Sequence, residues 1–259
     1  MIRVLLALSL FLSTHALLAK QTVVLGVSGR PVDAVVTHLN TSKAMAIQVR
    51  TFDTDDALYA ALRDGKVDLA FLGAVRYVQA HFEFGATPLV ADGKASRSSI
   101  LVPASSPITN MKQLKSKRIA FGYADSTSTY LIPLLLLSKN GLRQEDVKGS
   151  FVSHRPQDLV DQMLAGKFDA CAVSEKTLAT NKAKVRVLGT SEPFAGPPLV
   201  ARKGFSDGLA AEIRRMMTSY KPPAGRPGER FTDGVTPVTD VDYNRIRFLC
   251  KVILKKSYL

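Results

Sequence analysis

Short apolar runs alternate along this chain with longer stretches in which apolar residues recur every three or four positions. The first pattern reads as buried strands and the second as amphipathic helices laid against them. Strands are predicted at 22–26, 47–52, 67–72 and 98–103. Helices are predicted at 31–40, through Leu58 and Leu62 as far as Gly65, and from Gly73 through Val75, Val78 and Gln79. A second series follows, with strands at 119–121, 151–153 and 168–173 and helices at 126–139 and Pro156–Leu164. The phrases ALRDGKVDLAFLG and MLAGKFDACAVSE share one grammar: a helix stopped by Gly-Lys, then an Asp entering a strand. The two series therefore read as two lobes on one plan. Residues 185–188 lead back toward the first lobe, and the Pro-rich 193–198 segment forms a crossover. Helices at 210–217 and 243–254 close the chain, separated by a Gly/Pro-rich surface loop at 222–233. The expectation is α/β architecture with mostly parallel sheets.

The first 19 residues interrupt that alternation. Arg3 precedes an apolar stretch from Val4 to Leu12, and small residues stand at Ala16 and Ala19. This is the pattern of a secretory signal cleaved near Ala19, too short for a span of about 20 residues. An exported, soluble chain is expected, with about 240 residues left for one large or two small domains. The formal net charge of +13 raises nucleic acid, anionic membrane surface and anionic small ligands as partners. The basic residues are scattered apart from 112–118 and the C-terminal helix, without interleaved aromatics, so nucleic acid is not expected. The remaining choice is between steering of anions toward a site and a merely solvated basic surface. Cys171 and Cys250 could pair in an oxidising compartment, or Cys171 could be a buried thiol in its strand.

Candidate chemistry centres on Asp125-Ser126-Thr127-Ser128-Thr129, between the strand at 119–121 and the apolar helix from Leu131. Hydroxyl residues at a helix start place O–H donors beside unpaired backbone N–H groups and the positive end of the helix dipole. The turn is either a seat for a tetrahedral oxyanion or simply a helix cap. Ser126 or Ser128 with His154 and Asp125 could be drawn as a triad, but no G-x-S-x-G elbow precedes the helix and no metal signature is present. Neither an enzyme nor a cofactor is expected.

Four motifs in order, GKVDLAFLGAVRYV, DSTSTYLIP, SHRPQDLVDQMLAGKFDACAV and RFTDGVTPVTDVDYNRIR, resemble the phosphate/phosphite/phosphonate substrate-binding proteins of ABC transporters. The resemblance covers nearly the whole mature chain. It implies a type 2 periplasmic binding fold: two α/β lobes joined by two crossovers, with ligand trapped between them. On that plan one lobe takes 20–102 and 196–259, and the other 103–195. The family's anion contacts map to Ser126, Thr127 and Ser128, and its histidine to His154. Thr129 stands where the family has Gly. Two positions that are aromatic in relatives fall near Asp55 and Arg97; Arg97 would suit an anion bidentately. Asp55 would orient Arg97, accept from a protonated ligand, or cap its helix. Tyr77 either lines the cleft or belongs to the core, and Tyr130 is expected to pack. Carboxylates that hold a ligand amine are not clearly kept at Glu175-Lys176 and Gly196-Pro197, which disfavours an aminophosphonate. The implied protein is a periplasmic monomer that delivers a small anionic ligand to an ABC permease. The alternative is a sensory binding protein docking on a membrane histidine kinase or cyclase, for which a different anion is open.

Overall fold

The computed structural model describes residues 20–93, 95–153, 155–225 and 228–258; the expected signal segment and His154 lie outside them. In chain order the first series is β1 (Gln21–Val27), α1 (Asp33–Leu39), β2 (Met45–Thr51), α2 (Asp55–Arg63), β3 (Leu69–Phe71), α3 (Ala74–Phe84) and β4 (Thr87–Asp92). The second comprises β5 (Ser98–Pro103), β6 (Arg118–Phe121), α4 (Ile132–Lys139), β7 (Lys148–Phe151), α5 (Pro156–Leu164), β8 (Ala170–Ser174), α6 (Glu175–Ala179) and β9 (Val185–Thr190). The chain returns through β10 (Pro198–Ala201), α7 (Asp207–Thr218), β11 (Val235–Pro237) and α8 (Asn244–Ile253). Local chemistry sets several boundaries. Thr54 caps α2 by accepting from Ala57 N–H at 3.1 Å, and Pro133 stands in the first turn of α4.

Two sheets result, ordered β11-β4-β10-β3-β1-β2 and β7-β6-β8-β5-β9. They are mixed rather than mostly parallel. β1 runs parallel to β2 and β3, and β6 parallel to β7 and β8. However, β10 is antiparallel to β3 and β4, and β5 to β8 and β9. Each antiparallel intruder enters its sheet directly from a crossover, not through a crossover helix.

β5 thus belongs to the second sheet, so the first crossover falls at residues 93–97, before the expected change at 102/103. β9 is an edge strand of the same sheet, and the return begins only after Thr190. The crossovers pair with each other: Ser96 and Phe194 exchange two backbone hydrogen bonds of 2.9 Å. They approach so closely that a Cβ on Gly196 would sit 2.8 Å from the Asp92 carbonyl oxygen. Glycine is needed there for space. The loop at 222–233 is not wholly superficial, since Phe231 is fully buried and packs edge-on to Phe71 at 5.4 Å.

One apolar cluster lies at the seam of the lobes. Leu131 and Ile132, at the start of α4, are buried together with Val75 and Val78 of α3 and Leu249 and Cys250 of α8. Cys171 is buried in a different cluster behind the second sheet. Both cysteines are free thiols.

Candidate functional site

The turn after β6 is built around two small residues. Ser126 N–H donates to the Tyr123 carbonyl at 2.9 Å, and Leu131 N–H reaches back to the Ser126 carbonyl at 3.0 Å, opening a wide first turn that leads into α4. Ser126 Oγ accepts from the Thr129 amide at 3.2 Å and from its hydroxyl at 2.5 Å. The serine oxygen is thereby used as a cap, while its own proton stays available to a ligand. Thr129, the departure from glycine, points inward: it is buried, and a Cβ on Gly122 would fall on its hydroxyl. Its side chain fills the space left by Gly122, and the residue also borders the cleft.

Thr127 Oγ accepts from Val75 N–H at 3.0 Å, which docks the turn on the first turn of α3 in the other lobe. The Ser128 hydroxyl has no partner among the described residues, while its carbonyl accepts from Ser98 Oγ. Ser126, Thr127 and Ser128 line a cavity of about 550 Å³ between the lobes together with Gly73 and Ala74 from the start of α3. Two helix starts therefore face one cleft, each with unpaired N–H groups.

Asp55 and Arg97 also line this cavity. Asp55 stands in the first turn of α2, where Thr54 already does the capping, and it accepts from Ser28 Oγ. Arg97 lies on the first crossover and donates to the Ser191 carbonyl at 3.0 Å, not to Asp55. Tyr77 is absent from the cleft. It is fully buried on the inner face of α3, edge-on to Tyr243 at 4.6 Å, and its hydroxyl donates to Asp240. Burial, then Asp240, pushes its pKa up. Tyr130 is buried as expected.

Several lining residues escape a reading by motif. Arg76 of α3 pairs with Asp125 at 2.6 Å across the cleft and with Asp56 on its own side, its guanidinium 5.1 Å over the Tyr59 ring. Burial opposes that charge, but Asp125 and Asp56 together hold it above the usual arginine range. Lys176 of α6 reaches Asp233 of the other lobe at 2.6 Å. Arg30 donates to the buried Asp92 at 2.7 Å. Behind them Arg230 lies 4.4 Å over the Phe71 ring and 3.9 Å from Asp92; burial lowers its pKa to about 10. The only sequence signal for Arg76 was its place inside one of the motifs, whereas Asp125 heads the turn that the sequence singles out.

The lining holds four cations (Arg30, Arg76, Arg97, Lys176) and five carboxylates (Asp55, Asp92, Asp125, Glu175, Asp233) among the described residues. Despite the chain's +13, this cleft is no general sink for anions. Arg97 is its only described cation without a carboxylate partner.

A two-lobed α/β molecule with paired crossovers and a polar cleft is a type 2 periplasmic binding protein. Residues 30–243 match the family of ABC-transporter periplasmic phosphonate substrate-binding proteins, and the chain belongs to that family. Solved structures share its fold. The chain is similar to PhnD1 of Prochlorococcus marinus in complex with methylphosphonate, with TM-score 0.76, 17% identity, and 91% of this chain and 99% of that one covered. A Xanthomonas citri protein solved bound to ATP has TM-score 0.71 and 18% identity, with 91% and 98% covered. The periplasmic aliphatic sulphonate-binding protein SsuA of Escherichia coli has TM-score 0.61 and 21% identity, with 76% and 70% covered. Two of these structures hold different ligands and the third is named for another class, so the ligand must be read from this chain's own cleft.

Proposed function

We propose that this chain captures a small phosphorus oxyanion by closure of its lobes and delivers it to an ABC permease. The observation that carries the reading is the turn at Ser126–Ser128, set at a helix start inside the interlobe cavity with uncommitted hydroxyl protons. Those protons, the amides of the turn and Arg97 would surround one tetrahedral group with charge-assisted donors. The phosphonate family and the methylphosphonate held by a similar fold support phosphorus chemistry. Recognition is by placed donors, while the overall positive charge steers anions toward the molecule.

Closure is served by three contacts between lobes: Val75 N–H to Thr127 at 3.0 Å, Arg76 to Asp125 at 2.6 Å, and Lys176 to Asp233 at 2.6 Å. A ligand bridging the turn and Arg97 would favour the closed form by its differential affinity for it. Residues 1–19 would direct export and be removed, and binding would proceed without turnover.

A thermal-shift panel on ligand-stripped mature protein tests this, with phosphate, phosphite, methylphosphonate, aminoethylphosphonate, sulfate, a sulfonate and a dicarboxylate. Ligand at 100 times its Kd stabilises by about 2.7 kcal/mol, a rise of about 5 °C or more for a chain of this size. A selective shift with a phosphorus oxyanion is expected. A shift with the sulfonate alone, or with none, would overturn the reading.

A further inference from the structure

We propose that the outward face of α8 is a docking surface for an anionic phospholipid bilayer. The Phe248 ring enters the lipid interface, and Arg245, Lys251 and Lys255 meet the lipid phosphates. The proposal makes no use of the cleft and holds whichever ligand the cleft takes.

The first observation is how α8 divides its residues. Ile246, Arg247, Leu249 and Cys250 are buried. Leu249 and Cys250 pack in the seam cluster with Val75 and Val78 of α3 and Ile132 of α4, so one face of the helix is fastened to both lobes. Arg245, Phe248 and Val252 recur at spacings of four and three and therefore share the opposite face. All are exposed, and so is Lys251 beside them. Phe248 keeps 60% of its surface open to solvent. One exposed ring is ordinary on a protein surface. This one is flanked by a cation three residues away on either side, Arg245 and Lys251, with the aliphatic Val252 next to it.

The second observation is charge. From Tyr243 to Leu259 the sequence carries Arg245, Arg247, Lys251, Lys255 and Lys256, and no Asp or Glu. Arg247 turns inward onto Asp240. The others meet no carboxylate among the described residues. Arg245 donates to the Pro193 carbonyl at 3.0 Å and Lys255 to the Val252 carbonyl at 3.0 Å, which sets their direction without cancelling their charge.

Together these features select a bilayer over a protein partner. A protein partner is recognised through directional pairs of both signs and a fitted pocket for the anchor. Here a ring stands among cations alone, which suits a surface that is anionic throughout and laterally uniform. A helix of this make lies flat, with its ring at headgroup level and its basic side chains on the phosphates. Each Lys or Arg close to an anionic leaflet raises partitioning about 5-fold. The chain's net charge of +13 acts in the same direction, drawing the molecule to such a surface before the helix seats.

The chain contains no tryptophan, so Phe248→Trp places a single fluorescent reporter on this face. The test adds vesicles to the mature variant at about 0.1 M salt, where charges still act over about 10 Å. One set of vesicles is equal parts phosphatidylglycerol and phosphatidylcholine, and the other is phosphatidylcholine alone. The anionic vesicles are expected to shift the emission to the blue and protect it from acrylamide, and phosphatidylcholine to do neither. Lys251→Glu with Lys255→Glu, added to the reporter variant, should weaken partitioning at least 10-fold. Lys112→Glu with Lys115→Glu makes the same change in net charge on the other basic stretch and should leave partitioning within about 3-fold. Circular dichroism checks that each variant is folded. No change with anionic vesicles, the same change with phosphatidylcholine alone, or equal effects of the two charge-reversed pairs would overturn the bilayer face.

Discussion

At the scale of single residues, the turn at Ser126–Ser128 contains side chains with separable duties. Ser128 has a hydroxyl committed to nothing described, so Ser128→Ala should weaken oxyanion binding with little change in stability. A hydrogen bond to a charged group is worth about 1.5–3 kcal/mol, or roughly 10- to 100-fold in affinity. Thr127 does more, because its oxygen also takes the Val75 amide from the other lobe. Thr127→Val removes that acceptor and a donor together, and binding should be lost by titration while circular dichroism stays native. Unchanged affinity in both variants would reduce the turn to a helix cap. Thr129 belongs to packing. Gly122→Ala should destabilise by about 1–3 kcal/mol through overpacking against Thr129. Thr129→Gly in the same chain should restore part of that loss, measured by urea unfolding.

At the scale of elements, what could be read from sequence was what is local. The helix Pro156–Leu164 and the strand Ser98–Pro103 keep the expected boundaries, because stop signals and apolar runs lie beside them. The strand Thr87–Asp92 was missed although nearly all of it is buried, since Pro88 breaks the apolar run and no polar alternation frames it. Val235–Pro237 was missed because three residues become a strand only by pairing with β4. The site divides in the same way. Ser126 to Ser128 stand in one motif, whereas Arg76 meets Asp125 from 49 residues away and Arg30 meets Asp92 from 62. The first pairing exists only once both lobes are in place, the second only once the first lobe has folded. Tyr77 was undecided because helical spacing cannot say which neighbour covers a face, and here it is Tyr243, just before α8. The cysteines show the same limit: Cys171 and Cys250 fall in separate clusters. Burial pushes their thiols up to about 12 and about 11, with Lys256 countering slightly at Cys250. Little thiolate therefore exists at pH 8 in the folded state. Iodoacetamide at pH 8 should leave both unmodified by mass spectrometry until denaturant is added; early modification or a 2 Da loss from a disulfide would contradict this placement.

At the scale of the whole molecule, the proposed capture would depend on how often the two lobes meet. Arg76–Asp125 and Lys176–Asp233 join the lobes beside the cleft, and the apolar seam of Leu131 and Ile132 holds the turn to α3 and α8. Asp125→Asn should loosen the closed form. The ligand-free protein should then show a larger radius of gyration by small-angle scattering. Apparent affinity should fall in proportion to the lost closed fraction. Unchanged scattering and affinity would mean that the seam alone sets closure. High salt should mimic the variant only weakly, because Arg76 and Asp125 are largely shielded from solvent.

The most direct test of the binding mode is a crystal structure of the mature protein loaded with the tightest phosphorus ligand of the panel. The phosphorus atom is expected between the lobes, its oxygens within about 3 Å of the Ser126, Thr127 and Ser128 donors and facing Arg97. A ligand seated elsewhere, with this turn touching only its own helix, would contradict the assignment of the cleft.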